Sequence, residues 1–126
     1  MRHPQLLIHA ADSLLSEMLS PAAKRQRWVV RHPREWGEVR ELLEVGGPGV
    51  LVLRVGRDLE AETTLLERVS DLFPDTGVVV VGDAVHAPLA GLAWDLGASY
   101  VLFLPQPPEL LEAVVEGLMQ QPVGSL

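Results

Sequence analysis

Cysteine is absent from this chain of 126 residues, lysine occurs once, and no basic residue follows Arg68. Each gap removes some chemistry. Without thiols there are no disulfides, thiolate metal sites or cysteine nucleophiles, a composition that suits a reducing cytoplasm. Lys24, the one lysine, lies in a polar connection and is poorly placed for Schiff-base chemistry. No apolar run reaches the roughly 18 residues of a membrane span. The opening stretch MRHPQLLIHAADS has too short an apolar segment and the wrong flanks for a signal peptide. A cytoplasmic protein without membrane attachment is expected. Neither G-x-G-x-x-G nor G-x-x-x-x-G-K-[ST] occurs. The glycines of VGGPGV precede a strand at its amino end, where they suit a helix end and a turn rather than a phosphate.

Charge is divided unevenly along the chain. Residues 1–68 carry all 10 Lys and Arg against 10 Asp and Glu, whereas residues 69–126 carry 7 acids and no base, so the net charge of −7 falls on the second part. Such a surface repels a polyanion. Nucleic-acid binding is therefore not expected, the only local exception being the basic cluster Lys24, Arg25, Arg27.

What is present is an alternation of two periodicities. Five short apolar, largely β-branched runs fall at Gln5–His9, Trp28–Arg31, Val50–Val55, Gly77–Val81 and Tyr100–Leu104. Between and after them, apolar residues recur at helical spacing: Leu14, Leu15, Met18, Leu19; Trp36, Val39, Leu42, Leu43; Leu65, Leu66, Val69, Leu72, Phe73; Leu89, Leu92, Ala93, Leu96; and Leu111, Val114, Leu118. Strands reading VLVL and VVVV are apolar on both faces, which calls for a parallel sheet covered by helices. The expected architecture is α/β, a (βα)5 doubly wound, five-stranded parallel sheet in one domain over residues 1–120, followed by a tail at 121–126.

In such a sheet ligands and chemistry belong at the carboxyl ends of the strands. Those ends carry His9-Ala10-Ala11-Asp12, Arg54-Val55-Gly56-Arg57-Asp58, Gly82-Asp83-Ala84 and Leu104-Pro105. Arg54 needs partners, because an unpaired charge in a partly buried pocket costs several kcal/mol. Asp12 and Asp83 stand at neighbouring strand ends, and one or both should pair with it. Asp12 and Asp58 also suit helix N-caps, and a carboxylate can cap with one oxygen and meet a guanidinium with the other. A metal site built from Asp12, Asp58 and Asp83 is disfavoured, since Arg54 would oppose the ion. His9, His32 and His86 fall in separate elements and are expected to be structural. Ser13 has no G-x-S-x-G elbow and no triad partners, and suits a first helical turn.

Several segments in order resemble the receiver domain of two-component response regulators, the CheY-like fold. LLIHAADSLLSEML is similar to the first strand, acidic pair and first helix of that family, PGVLVLRV to its third strand, and TGVVVVGDA to its fourth. LGASYVLFLPQPPELLEAV resembles its Gly-Ala segment, fifth strand, Lys-Pro bond and last helix. The resemblance covers essentially the whole chain and implies the flavodoxin-like strand order 2-1-3-4-5. It also implies that the phosphorylation pocket has been emptied of its chemistry. The metal-binding acidic pair falls on Ala10 and Ala11, the phosphoacceptor aspartate on Arg54, the Thr or Ser that reads the phosphoryl group on Gly82, and the Lys on Leu104; only Pro105 remains. The switch aromatic falls on Val101. Phosphoryl transfer to a carboxylate needs the carboxylate and a hard cation held by oxygen ligands, and alanines offer neither.

The resulting expectation is a degenerate pseudo-receiver: a non-enzymatic, phosphorylation-independent interaction module with no cofactor and no bound metal, working through a protein partner. Its binding face is expected on the fourth helix, where Ala87, Ala90, Gly91 and Trp94 form a small, uncharged stripe ending in an indole. By resemblance this face extends to Val101 and Phe103 of the fifth strand, with a homodimer through the fourth helix, fifth strand and fifth helix as one form of it. Trp94 folding back onto Tyr100 is the plainer alternative. A second functional class is a small-molecule or nucleotide sensor that binds an anion at the strand ends through Arg54.

Overall fold

Five parallel strands, β1 (Gln5–Ile8), β2 (Val29–Arg31), β3 (Gly49–Arg54), β4 (Gly77–Asp83) and β5 (Tyr100–Leu104), form one sheet in the order β2-β1-β3-β4-β5. Five helices connect and follow them: α1 (Ser13–Gln26), α2 (Trp36–Gly46), α3 (Leu59–Leu72), α4 (Ala90–Asp95) and α5 (Pro108–Met119). The computed structural model describes residues 4–47 and 49–120, so the tail expected at 121–126 lies outside the described residues. The doubly wound α/β architecture and the strand order are those the sequence implies. No helix among the described residues is long and apolar enough to cross a membrane.

Apolar side chains on both faces of the strands divide the core into two layers. Leu6, Ile8, Val50, Val52, Val79 and Val81 pack under α1 and α5 against Leu15, Leu19, Leu111 and Val115. Leu7, Leu51, Leu53, Val78 and Val80 meet Val39, Leu43, Leu65, Leu66 and Val69 of α2 and α3 on the other face. Full burial of one such side chain stabilises the fold by about 1.5–3 kcal/mol. The continuous apolar strands are thus the larger part of what specifies the sheet.

Two local features had no signal in the apolar pattern. Gln5, the first residue of β1, is buried, and its Nε2 donates to the carbonyls of Leu42 at 2.9 Å and Gly47 at 2.6 Å. It thereby gives the Gly47 carbonyl, just beyond α2, a donor that the helix does not supply, and adds a second donor to the Leu42 carbonyl in its last turn. Ala10 sits in the left-handed region at φ 58°, ψ 25°, within a 3₁₀ turn over His9–Ala11 that ends β1 one residue earlier than the apolar run suggests. Its N–H donates to Pro33 O at 2.8 Å, which holds the unusual backbone in place.

The fourth helical segment differs from its sequence reading. A 3₁₀ stretch occupies Ala84–Leu89 and α4 proper has only six residues. Pro88 explains the shortening, since it has no N–H to donate and its ring disfavours a preceding α-turn. Of the four residues expected to face the sheet, Ala93 is buried, Leu89 and Leu96 are half-buried, and Leu92 is 45% exposed. A helix of fewer than two turns presents too few positions to bury a full four-residue face.

Candidate functional site

The carboxyl ends of β1, β3 and β4 surround a shallow depression of about 400 Å³, and Arg54 projects into it from the last residue of β3. Parallel pairing in register sets the neighbours: Ile8 lies beside Val52, and Arg54 beside Val81. The loops leaving β1 and β4 therefore flank the guanidinium. Arg54 Nη1 donates to Asp12 Oδ2 at 3.4 Å, and Nη2 donates to Asp83 Oδ1 at 3.3 Å. The two carboxylates differ in setting. Asp12 is buried and Asp83 is half exposed, so the Asp12 contact is the less screened and the stronger of the two.

Asp12 has a second task. Its Oδ1 accepts the Leu15 N–H at 3.0 Å, capping α1, while Oδ2 faces Arg54. One side chain thus fixes the start of a helix and the position of a cation. Asp58 caps α3 through the Ala61 N–H at 3.2 Å and makes no ion pair with Arg54.

Two further residues shape the site and were not singled out for it by spacing. Glu62 is buried, and its carboxylate reaches back from α3 to accept the Gly56 N–H at 2.8 Å and the Asp58 N–H at 3.3 Å. This ties down the loop that follows Arg54. The D-x-x-x-E spacing from Asp58 to Glu62 is the available signal, one residue longer than a capping box. His86 accepts the Asp83 N–H through Nδ1 at 3.2 Å, so its ring proton resides on Nε2. Its ring lies over Gly56, where a Cβ would come within 2.6 Å of Cε1; Gly56 also has φ +131°. Only glycine fits that turn. His9 Nε2 lies 3.1 Å from Arg34 O at the rim, and His32 is exposed at the far edge of the sheet.

The remaining pocket positions are apolar or backbone. Ala10 and Ala11 form the turn after β1, Gly82 is buried in β4, and a Cβ on Gly82 would meet His86 and Phe103 at 3.3–3.4 Å. Leu104 ends β5 and is joined to Pro105 by a cis peptide bond. A divalent cation does not fit these residues. Asp12 has one oxygen on a helix N–H and the other on Arg54, Asp83 faces the same guanidinium, and the alanines supply no ligand oxygen. No cluster of three metal-ligating side chains occurs among the described residues.

Over the 3₁₀ stretch, α4 and β5 the surface is largely apolar, with Asp95 the one exposed charge of α4. Trp94 is 48% exposed and meets Tyr100 edge-on with ring centroids 6.2 Å apart. The indole thus leans on Tyr100 and still presents about half its area to solvent. Ala87, Gly91, Val85 and Leu92 are exposed beside it, Ala90 is half-buried, and Val101 and Phe103 are half-buried on β5.

No family model matches this chain, and no curated protein sequence matches it. Solved structures do. A response regulator from Thermotoga maritima superposes with a TM-score of 0.78 at 18% identity, over 94% of this chain and 99% of that one. The receiver domain of NtrX from Brucella abortus gives 0.76 at 17% identity, over 94% and 100%. A CheY-like response regulator receiver domain protein from Methanospirillum hungatei gives 0.72 at 20% identity, over 92% and 94%. The fold is that of a receiver domain. This receiver fold holds Arg54 at the centre of its strand-end depression, between two carboxylates on neighbouring loops.

Proposed function

We propose that this domain is a pseudo-receiver, a phosphorylation-independent protein-interaction module in bacterial signalling, without enzymatic activity. The observation that carries the reading is the seat of Arg54 between Asp12 and Asp83. A guanidinium is permanently charged, so it braces the loops after β1 and β4 without a metal or a phosphoryl group. Phosphoryl transfer would need an acceptor carboxylate and a cation, and the pocket offers an arginine where the resemblance puts the first and no vacant ligands for the second.

The anion-sensor alternative is less well supported. Both terminal nitrogens of the Arg54 guanidinium already donate to carboxylates, so an incoming anion would have to compete with them.

The binding surface fits the apolar stripe of Ala87, Ala90, Gly91 and Trp94, bordered by Val101 and Phe103, with a homodimer as one form of the interaction. A half-exposed Trp among small uncharged neighbours resembles the centre of an interface. Two experiments test the reading. Incubation with acetyl phosphate and Mg²⁺ should give no phosphoryl adduct by intact mass, and a saturable Mg²⁺-dependent adduct would overturn it. Light scattering and pull-down with Trp94→Ala and Ala90→Glu should show weakened association, by at least about 2 kcal/mol for a hot-spot Trp. Association untouched by both changes would exclude this face.

A further inference from the structure

We propose that the opposite edge of the sheet, at β2, is a second docking site that takes an acidic, extended peptide segment of a partner protein by strand addition. β2 has β1 on one side and no strand on the other. The Val29 N–H donates to Pro4 O at 2.9 Å, so Val29 and Arg31 direct their backbone groups toward β1. In a parallel ladder the residue between them directs its N–H and C=O the other way, leaving those of Val30 open at the edge.

Beside that edge runs a groove of about 450 Å³ between α1 and β2, with Ile8, Leu19, Ala23, Trp28 and Val30 in its wall. Lys24, Arg27 and His32 also line it, and no acid does. Residues 24–34 contain Lys24, Arg25, Arg27, Arg31 and Arg34 with no Asp or Glu, in a chain of net charge −7. Arg25 is spent on Glu112 and Glu116 of α5, and Arg31 lies on the other face of β2 beside Glu38 and Glu41, whereas the exposed side chains of Lys24 and Arg27 pair with no carboxylate among the described residues.

Three requirements follow for the occupant. It must offer backbone hydrogen-bonding groups to Val30, an apolar side chain to the groove, and carboxylates to the basic rim. An extended peptide that carries apolar and acidic residues at alternate positions of one face meets all three, because every second side chain of a strand points the same way and the groove and its basic rim lie on one face of β2. Nucleic acid meets only the last, and the acidic half of the chain opposes it. The other open edge, β5, belongs to the base-free half and would repel carboxylates.

The test uses the isotope-labelled full chain and a nonapeptide with threonine at its odd positions and glutamate, valine, valine and glutamate in turn at its even ones, so that both kinds of side chain share one face. Expected are saturable shifts of Lys24, Arg27 and Val29–His32 amides at up to about millimolar peptide, weakening as salt rises. Lys24→Glu with Arg27→Glu should weaken binding at least about tenfold. Val30→Pro removes only an outward N–H, so the sheet should persist while binding is lost. Should that variant fail to fold, the charge reversal decides alone. The proposal is overturned if the peptide leaves these amides unmoved, if the same peptide with lysine in place of glutamate binds as well, or if a DNA duplex binds more tightly. Shifts of the same amides on raising protein concentration without peptide would assign the groove to a second copy and equally overturn it.

Discussion

The carboxylate of Glu62 accepts the backbone N–H of Gly56 at 2.8 Å, so a buried acid on α3 holds the turn that carries the chain away from Arg54. The same carboxylate accepts from Asp58, and neither N–H has another acceptor within reach in that loop. Without it the two N–H groups, which belong to exposed residues, turn to water. Glu62→Ala is expected to cost about 0.5–1.5 kcal/mol, the net worth of hydrogen bonds exchanged for water, with Glu62→Gln costing less because one acceptor oxygen survives. Chemical denaturation of both variants checks the order; equal stability of Glu62→Ala and the parent would remove Glu62 from this role.

Arg54→Ala should cost roughly 1–2 kcal/mol, nearly all of it at the buried Asp12, which would keep its helix cap and lose its cation. The half-exposed Asp83 contributes little by comparison. Arg54→Asp should be worse than Arg54→Ala, because it sets a third carboxylate against two. Denaturant midpoints at low and high salt provide the check: the gap between the two variants should narrow as salt screens the repulsion.

Ala10 and Arg27 both occupy left-handed backbone, at φ 58° in each case. For an L-residue with a Cβ that conformation costs about 1–2 kcal/mol. Ala10→Gly and Arg27→Gly are each expected to stabilise the fold by roughly 0.5–1 kcal/mol, the relief being partly offset by the greater entropy of glycine in the unfolded chain. Ala10→Val should do the opposite. A thermal melt of the three variants decides, and a destabilised Ala10→Gly would show that the turn is held by more than its Pro33 hydrogen bond.

Sheet and site were not equally legible in the sequence. The VLVL and VVVV runs could be read because burial on both faces leaves no polar position to confuse the period, and all five strands lie within two residues of where those runs place them. The meeting of Asp12, Arg54 and Asp83 could be read because parallel strands end on one side of the sheet, which brings their following loops together whatever the distance in sequence. Glu62 and Gln5 escaped notice, and His86 was read as structural without its partner, for a shared reason. Each satisfies backbone groups of a segment distant or differently wound, and hydrophobic periodicity carries no record of backbone donors and acceptors. Leu92 was misplaced because the pattern of Leu89, Leu92, Ala93 and Leu96 assumes one helix long enough to bury all four, whereas the α-helix covers only Ala90–Asp95.

The 3₁₀ stretch from Ala84 to Leu89 has no buried residue, and His86 is its one side-chain tether to the Asp83 backbone among the described hydrogen bonds. Few apolar contacts mean a low free energy of local opening, so its amides should trade protons for deuterons far sooner than those of β3 and β4. The consequence is a reporter built into the chain. Capture of a partner on the Trp94 surface should slow deuterium uptake over 84–91 while leaving the central strands unchanged, whereas a ligand seated at Val30 should leave 84–91 as it was.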